Sequence, residues 1–146
     1  QRVLGDEFTV HFMTDVYYGS HIDSTLVALK PGLLLANPAR LSPDTIPPFL
    51  KQWEILFSPP MENQDRYSAE YLEQAIGSEW IDMNLFSLGP DTVVVDRDQT
   101  ALIQLLESHQ MEVVPLKLRH SRMMGGGFHC VTLDTRRRGK MESYFD

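Results

Sequence analysis

The stretch His21-Ile22-Asp23-Ser24-Thr25-Leu26-Val27-Ala28-Leu29-Lys30-Pro31-Gly32-Leu33-Leu34-Leu35-Ala36 reads as a strand, a turn and a returning strand. Aliphatic residues flank Lys30-Pro31-Gly32, and that Pro-Gly pair supplies the backbone angles of a chain reversal. Asn37-Pro38-Ala39-Arg40 closes the hairpin, a short helix is expected over 45–53, and a further strand over 54–57. The same order recurs around Leu88-Gly89-Pro90-Asp91. There the pattern gives a strand over 82–88, a strand over 92–95, a helix over 96–109 and a closing strand over 111–116. Ala101, Leu102, Leu105 and Leu106 form one face of that helix, and Asp98 or Thr100 is its candidate cap. Two ββαβ units therefore repeat at an interval of about sixty residues. A third begins at Cys130, where Cys130-Val131-Thr132-Leu133 has strand character. Stacked units of this kind suggest a radial α/β arrangement, here with too few units to close it. Outside the units, a strand is read over 7–12, loops over 15–20 and 58–65, and a helix over 67–76.

Length and charge narrow the function. The chain has 146 residues, one domain by size, and a net charge of −7, which argues against a nucleic-acid surface. Arg136-Arg137-Arg138 with Lys140 is too short a basic cluster to reverse that balance. A single cysteine excludes an intrachain disulfide and fits a reducing compartment, so a cytoplasmic location is expected. No apolar run reaches membrane-spanning length, and no membrane partner is expected. Gln1-Arg2-Val3-Leu4 has neither a starting Met nor a signal pattern, so a longer parent chain is expected.

Chemistry concentrates at two places. Gly125-Gly126-Gly127-Phe128-His129-Cys130 sets the only thiol directly after a run without Cβ atoms, at a loop-to-strand junction. A nucleophilic cysteine needs such exposure, nearby backbone donors and a firm anchor; a buried, inert thiol after a flexible turn is the alternative. His21 and Asp23 lie two apart, so in an extended strand they face the same way. An imidazole titrating near neutrality and oriented by a carboxylate suits proton transfer. His129 is expected to point away from Cys130 by strand alternation, and so to be structural. Arg40 at a hairpin end fits a bidentate carboxylate contact or a solvated side chain. Ser78, in Gly77-Ser78-Glu79-Trp80, reads by itself as a turn serine. No CxxC or HxxxH spacing supports a metal site, and no P-loop lysine follows the glycines, so neither metal nor cofactor is expected.

Taken together, these motifs resemble the arginine-dependent amidinotransferases. Gly125 to Cys130, continuing through Thr132, Asp134 and Arg136-Arg137 to Gly139, is similar to their C-terminal signature. His21-Ile22-Asp23-Ser24-Thr25, Pro31-Gly32, Asn37-Pro38 with Arg40, and Trp80 with Met83-Asn84 follow the same order. Val95-Asp96-Arg97, Gln99 to Ile103 and His120-Ser121-Arg122 resemble the inosamine-phosphate type. The resemblance implies the pentein fold, a fan of five ββαβ modules, of which residues 1–146 would be an incomplete C-terminal part of one catalytic domain. It implies a ping-pong reaction in which Cys130 attacks the guanidinium carbon of L-arginine, ornithine leaves and an acceptor amine takes the amidino group. His21 would be the general acid/base, Asp23 would hold the guanidinium, and Arg40 and Ser78 would bind the donor's carboxylate end. The full-length protein is a possible homodimer. The family's further triad aspartate, from an Asp-Ala-Ala-type segment, has no counterpart before His21, so the fragment alone is expected to be inactive. The rival readings are a deiminase-like hydrolase of the same fold and a non-catalytic guanidino-binding module. The acceptor stays open among glycine, an aminocyclitol phosphate and a precursor of a guanidinium alkaloid such as saxitoxin.

Overall fold

The structure, a computed structural model, describes residues 3, 5, 6, 8–13, 21–62 and 68–140. Two three-stranded sheets carry the fold. In the first, β1 (Leu26–Lys30) pairs antiparallel with β2 (Leu33–Ala36), and β2 pairs parallel with β3 (Glu54–Phe57). In the second, β4 (Phe86–Ser87) pairs antiparallel with β5 (Thr92–Asp96), which pairs parallel with β6 (Glu112–Leu116). A parallel return needs a crossover. Helix α2 (Thr100–Ser108) supplies it in the second unit. In the first, the crossover contains only a single 3-10 turn, Pro48–Leu50. The ββαβ repeat read from the sequence is therefore present twice, with the first unit's helix reduced to one turn. Pro48 holds the residue before it, Pro47, out of the helical region, at φ −52° and ψ 136°, so a helix cannot run through 45–53.

β2 lies between its neighbours and is buried on both faces, as its unbroken Leu-Leu-Leu-Ala run requires. Leu33 and Leu35 point to one side, where Leu29 and Leu56 meet Met83, Leu85, Val93 and Val95 of the second unit. Leu102 and Leu106 of α2 enter this same cluster, so the two units share one core. Leu34 and Ala36 point the other way, onto Leu41, Ile46 and Leu50. His11 stacks on Phe49 at 3.8 Å between ring centroids, which covers that second cluster from outside.

Several expected elements differ. Residues 8–12 form no strand, and position 7 and the loop read over 15–20 lie outside the described residues. The helix read over 67–76 is α1 (Ala69–Gln74), capped by the Ser68 side chain accepting from the Tyr71 amide; position 67 is not described. The strands read over 21–29 and 82–88 each begin instead with a 3-10 turn, Ile22–Ser24 and Ile81–Met83. The Ser24 hydroxyl donates to the His21 carbonyl at 2.8 Å, a local bond that competes with extension. The two turns are counterparts in the repeat, Ile22-Asp23 matching Ile81-Asp82. Neither Asp98 nor Thr100 caps α2. Gln99 occupies that position without a side-chain cap, and the amide of Ala101 donates to the Glu62 carboxylate at 2.8 Å.

Candidate active site

The glycine run follows α3 (Ser121–Met124), a one-turn helix ended by Gly125 at φ 66°, in the left-handed region that favours glycine. Gly127 serves a different need: a Cβ there would lie 2.5 Å from the Asn84 carbonyl oxygen and 2.7 Å from its Oδ1. The backbone then turns. The Thr132 hydroxyl donates to the carbonyls of Phe128 and His129, and the Val131 amide to that of Gly127. Cys130 to Leu133 consequently form no strand, contrary to the sequence reading. A turn does not alternate its side chains as a strand does, so His129 and Cys130 line the same cavity. The expected opposite placement of His129 falls with the strand.

That cavity, about 430 Å³, also takes His21, Asp23, Phe86 and Asp134. Cys130 is exposed, and its Sγ lies 3.2 Å from His21 Nδ1. Asp23 Oδ2 accepts from Asn84 Nδ2 at 2.5 Å and lies 3.0 Å from His129 Nδ1. Asp23 Oδ1 is buried with no hydrogen-bond partner among the described residues. A buried carboxylate oxygen with free lone pairs favours a cationic N–H donor. Past the turn, Arg137 donates to Asp134 at 2.8 Å and to the Ser87 carbonyl at 2.6 Å, and its guanidinium lies 5.6 Å from the Phe86 ring centre. These contacts clamp residues 134–137 across the cavity wall. The basic cluster thus contributes one arginine to holding the site together.

Of the five residues singled out in the sequence, Cys130, His21 and Asp23 meet in this cavity, and Arg40 and Ser78 do not line it. Arg40 Nη1 donates to the Ser24 and Thr25 hydroxyls at 2.9 and 2.7 Å, bracing the turn that carries Asp23. Ser78 Oγ accepts from the Trp80 amide at 3.1 Å. The neighbouring Gly77 exchanges hydrogen bonds with Arg122 of α3, its amide donating to the Arg122 carbonyl and its carbonyl accepting from Nη1. Among the described residues, no group of three or more His, Cys, Asp or Glu side chains is arranged to hold a metal. Two contributors escaped the sequence reading: His129, and Asn84, which was matched by motif but given no role. An asparagine inside a segment read as a strand was the available signal for the second, since that residue type is depleted there.

A second charged cluster surrounds Asp82. Burial, and next the Asp96 carboxylate, push Asp82 up to about 7 from 3.8, with Lys117 and Arg122 partly offsetting this. Burial alone would lower Lys117, but its hydrogen bond to Asp98 and the charge of Asp96 raise it above its ordinary value.

No family model matches the chain. Inosamine-phosphate amidinotransferase 1 of Streptomyces glaucescens is 46% identical over 99% of the chain and 40% of the relative. A solved inosamine-phosphate amidinotransferase of Streptomyces griseus superposes with a TM-score of 0.90 at 47% identity, over 100% of this chain and 41% of that one. A solved amidinotransferase of the saxitoxin biosynthetic pathway, from Microseira wollei, gives a TM-score of 0.77 at 33% identity, over 87% and 34%. The paired three-stranded sheets are thus a partial set of pentein modules. The chain spans about two-fifths of the length of the relatives it matches, and over that span sequence and fold together make it a homologue of the amidinotransferases.

Proposed function

We propose that the protein containing this chain transfers the amidino group of L-arginine to an amine through a covalent amidino-cysteine on Cys130. The observation that carries this reading is the 3.2 Å approach of Cys130 Sγ to His21 Nδ1 beside Asp23 Oδ1, which has no hydrogen-bond partner among the described residues. A thiolate is the competent nucleophile, and a protonated imidazole beside it favours that form. Asp23, with its second oxygen already held by Asn84 and His129, offers Oδ1 to a guanidinium N–H. Sγ attacks the guanidinium carbon and forms the C–S bond. The bond from that carbon to the δ-nitrogen breaks, His21 gives the leaving amine a proton, and ornithine departs. The acceptor amine then attacks the same carbon, His21 removes a proton from it, and the C–S bond breaks to restore the thiolate. Arg40 and Ser78 are assigned to the donor's carboxylate end, as the resemblance implies. The inosamine-phosphate and saxitoxin-pathway relatives favour an acceptor from secondary metabolism.

The test uses the full-length protein with L-arginine and a panel of amines. Ornithine release that stops at about one equivalent per enzyme until an amine is added, and an amidino mass increment on the Cys130 peptide that amine removes, are the expected results. Cys130→Ala should abolish both. Citrulline formed without any amine would move the reading to a hydrolase, and absence of any arginine turnover would overturn it.

A further inference from the structure

Asn84 is 1% exposed, yet all its polar groups that the site uses point at other segments of the chain. Its Nδ2 donates to Asp23 of the first unit, and its Oδ1 accepts from the Cys130 amide at 3.0 Å. Its own carbonyl accepts from the His129 amide at 3.2 Å. Gly127 lies so close to it that a Cβ could not be accommodated without moving the Asn84 backbone. One side chain therefore joins the head of the first unit, the head of the second and the segment bearing the thiol.

We infer that Asn84 is a positioning residue that sets Cys130 and Asp23 in register for the same substrate; this rests on Cys130 being the nucleophile. The two ends of the amide act differently. Its oxygen fixes the Cys130 peptide, and with it the direction of Sγ toward His21. Its N–H occupies Asp23 Oδ2, which leaves Oδ1 as the carboxylate's available acceptor. Among side chains of this size, the asparagine amide is the one that carries an uncharged donor and an uncharged acceptor on two separate atoms, as these two bonds require. A leucine would keep the branched shape and lose both bonds; an aspartate would keep the acceptor and set a carboxylate oxygen against Asp23.

The experiment compares Asn84→Leu, Asn84→Asp and His21→Ala in the full-length protein, reading Cys130 alkylation by iodoacetamide across pH together with transfer kinetics. Folded Asn84→Leu should lose about 100-fold in kcat/KM, the scale of a small misplacement of reacting groups. Its alkylation profile should match that of His21→Ala, because the thiol has lost its imidazole neighbour. Asn84→Asp should keep the wild-type alkylation profile and show a transfer defect that shrinks as the pH falls, when a proton shared with Asp23 restores the missing donor. A folded Asn84→Leu with a wild-type alkylation profile and kcat/KM overturns the inference. Should that variant fail to fold, a wild-type pH profile of transfer in Asn84→Asp overturns it instead. If the wild-type protein turns over no arginine, the amidino-transfer reading fails, while the alkylation comparison still decides the role of Asn84.

Discussion

At Gly127 the backbone passes so near Asn84 that the two residues cannot be changed independently. A Cβ at this position would sit 2.5 Å from the Asn84 carbonyl oxygen, a backbone atom that cannot rotate aside. Gly127→Ala should therefore destabilise the protein by about 1–3 kcal/mol, the usual range for overpacking. It should also reduce kcat more than the stability loss explains, because the Cys130 amide bond to Asn84 moves with it. Thermal melts beside turnover measurements check this, and a variant with reduced Tm but wild-type kcat would sink it. Asp23 and His129 form the second local unit. Asp23→Asn removes the negative charge opposite a bound guanidinium, and uncompensated buried charge of that kind costs about 3–5 kcal/mol. A fall in kcat/KM of at least about 100-fold is expected, and near wild-type kinetics would make Asp23 only a turn residue. For His129→Ala, the 3.0 Å contact to Asp23 predicts a folded protein with weakened arginine turnover. Loss of folding with unchanged specific activity would restore the structural role that strand alternation suggested.

Helix α2 depends on a distant loop for its start. The Glu62 side chain accepts from the Ala101 amide, and the Gln99 amide group in turn binds the Glu62 backbone, accepting from its N–H at 2.8 Å and donating to its carbonyl at 3.3 Å. A carboxylate at a helix N-terminus satisfies an orphan donor and opposes the helix dipole. Glu62→Ala should lower stability by about 1 kcal/mol, measured by denaturant titration, with Glu62→Gln recovering part of the loss. An unchanged midpoint for Glu62→Ala would show that the cap contributes nothing. This bond also marks where reading the sequence stopped being sufficient. Periodicity located β2, β3, β5 and α2 because each is decided by apolar residues packing on their own sheet or core. It could not find a cap that arrives from 39 residues upstream, since nothing local to Asp98 or Thr100 records Glu62. The site divides the same way. His21, Asp23 and Cys130 were legible through their chemistry and the repeat. The turns at Ile22–Ser24 and after Gly127 were not, because side-chain hydroxyls bonding to nearby carbonyls outweighed the strand character of the surrounding residues.

Across the whole chain the two units act as one body, since Leu35 of the first and Val93, Val95 and Leu106 of the second are fully buried in a common cluster. Lys30 adds a polar tie, donating to the His109 carbonyl at 3.1 Å and pairing with Asp91 at 3.5 Å. Any charge strained within such a body is felt by the global unfolding equilibrium. Asp82 is that charge. Its Oδ2 is buried without a hydrogen-bond partner among the described residues, and the carboxylates of Asp96 and Asp98 oppose its ionisation, while Lys117 and Arg122 favour it. The sign follows from proton affinity. A carboxyl raised from 3.8 to about 7 holds its proton more tightly in the folded state than in the unfolded one. Its contribution to stability is full below 3.8, declines as the pH rises between the two values, and is gone once the pH has passed about 7. Asp82→Asn keeps the shape and removes the titration. Relative to wild type, the variant should gain stability steadily through that window and then level off, by roughly 4 kcal/mol at most for a shift of this size. Denaturant midpoints of both proteins in a series of buffers on either side of the window decide the matter. Curves that stay parallel through it would mean that Asp82 finds a compensating partner as it ionises, and that the cluster with Asp96, Lys117 and Arg122 places no acid-dependent term on the fold.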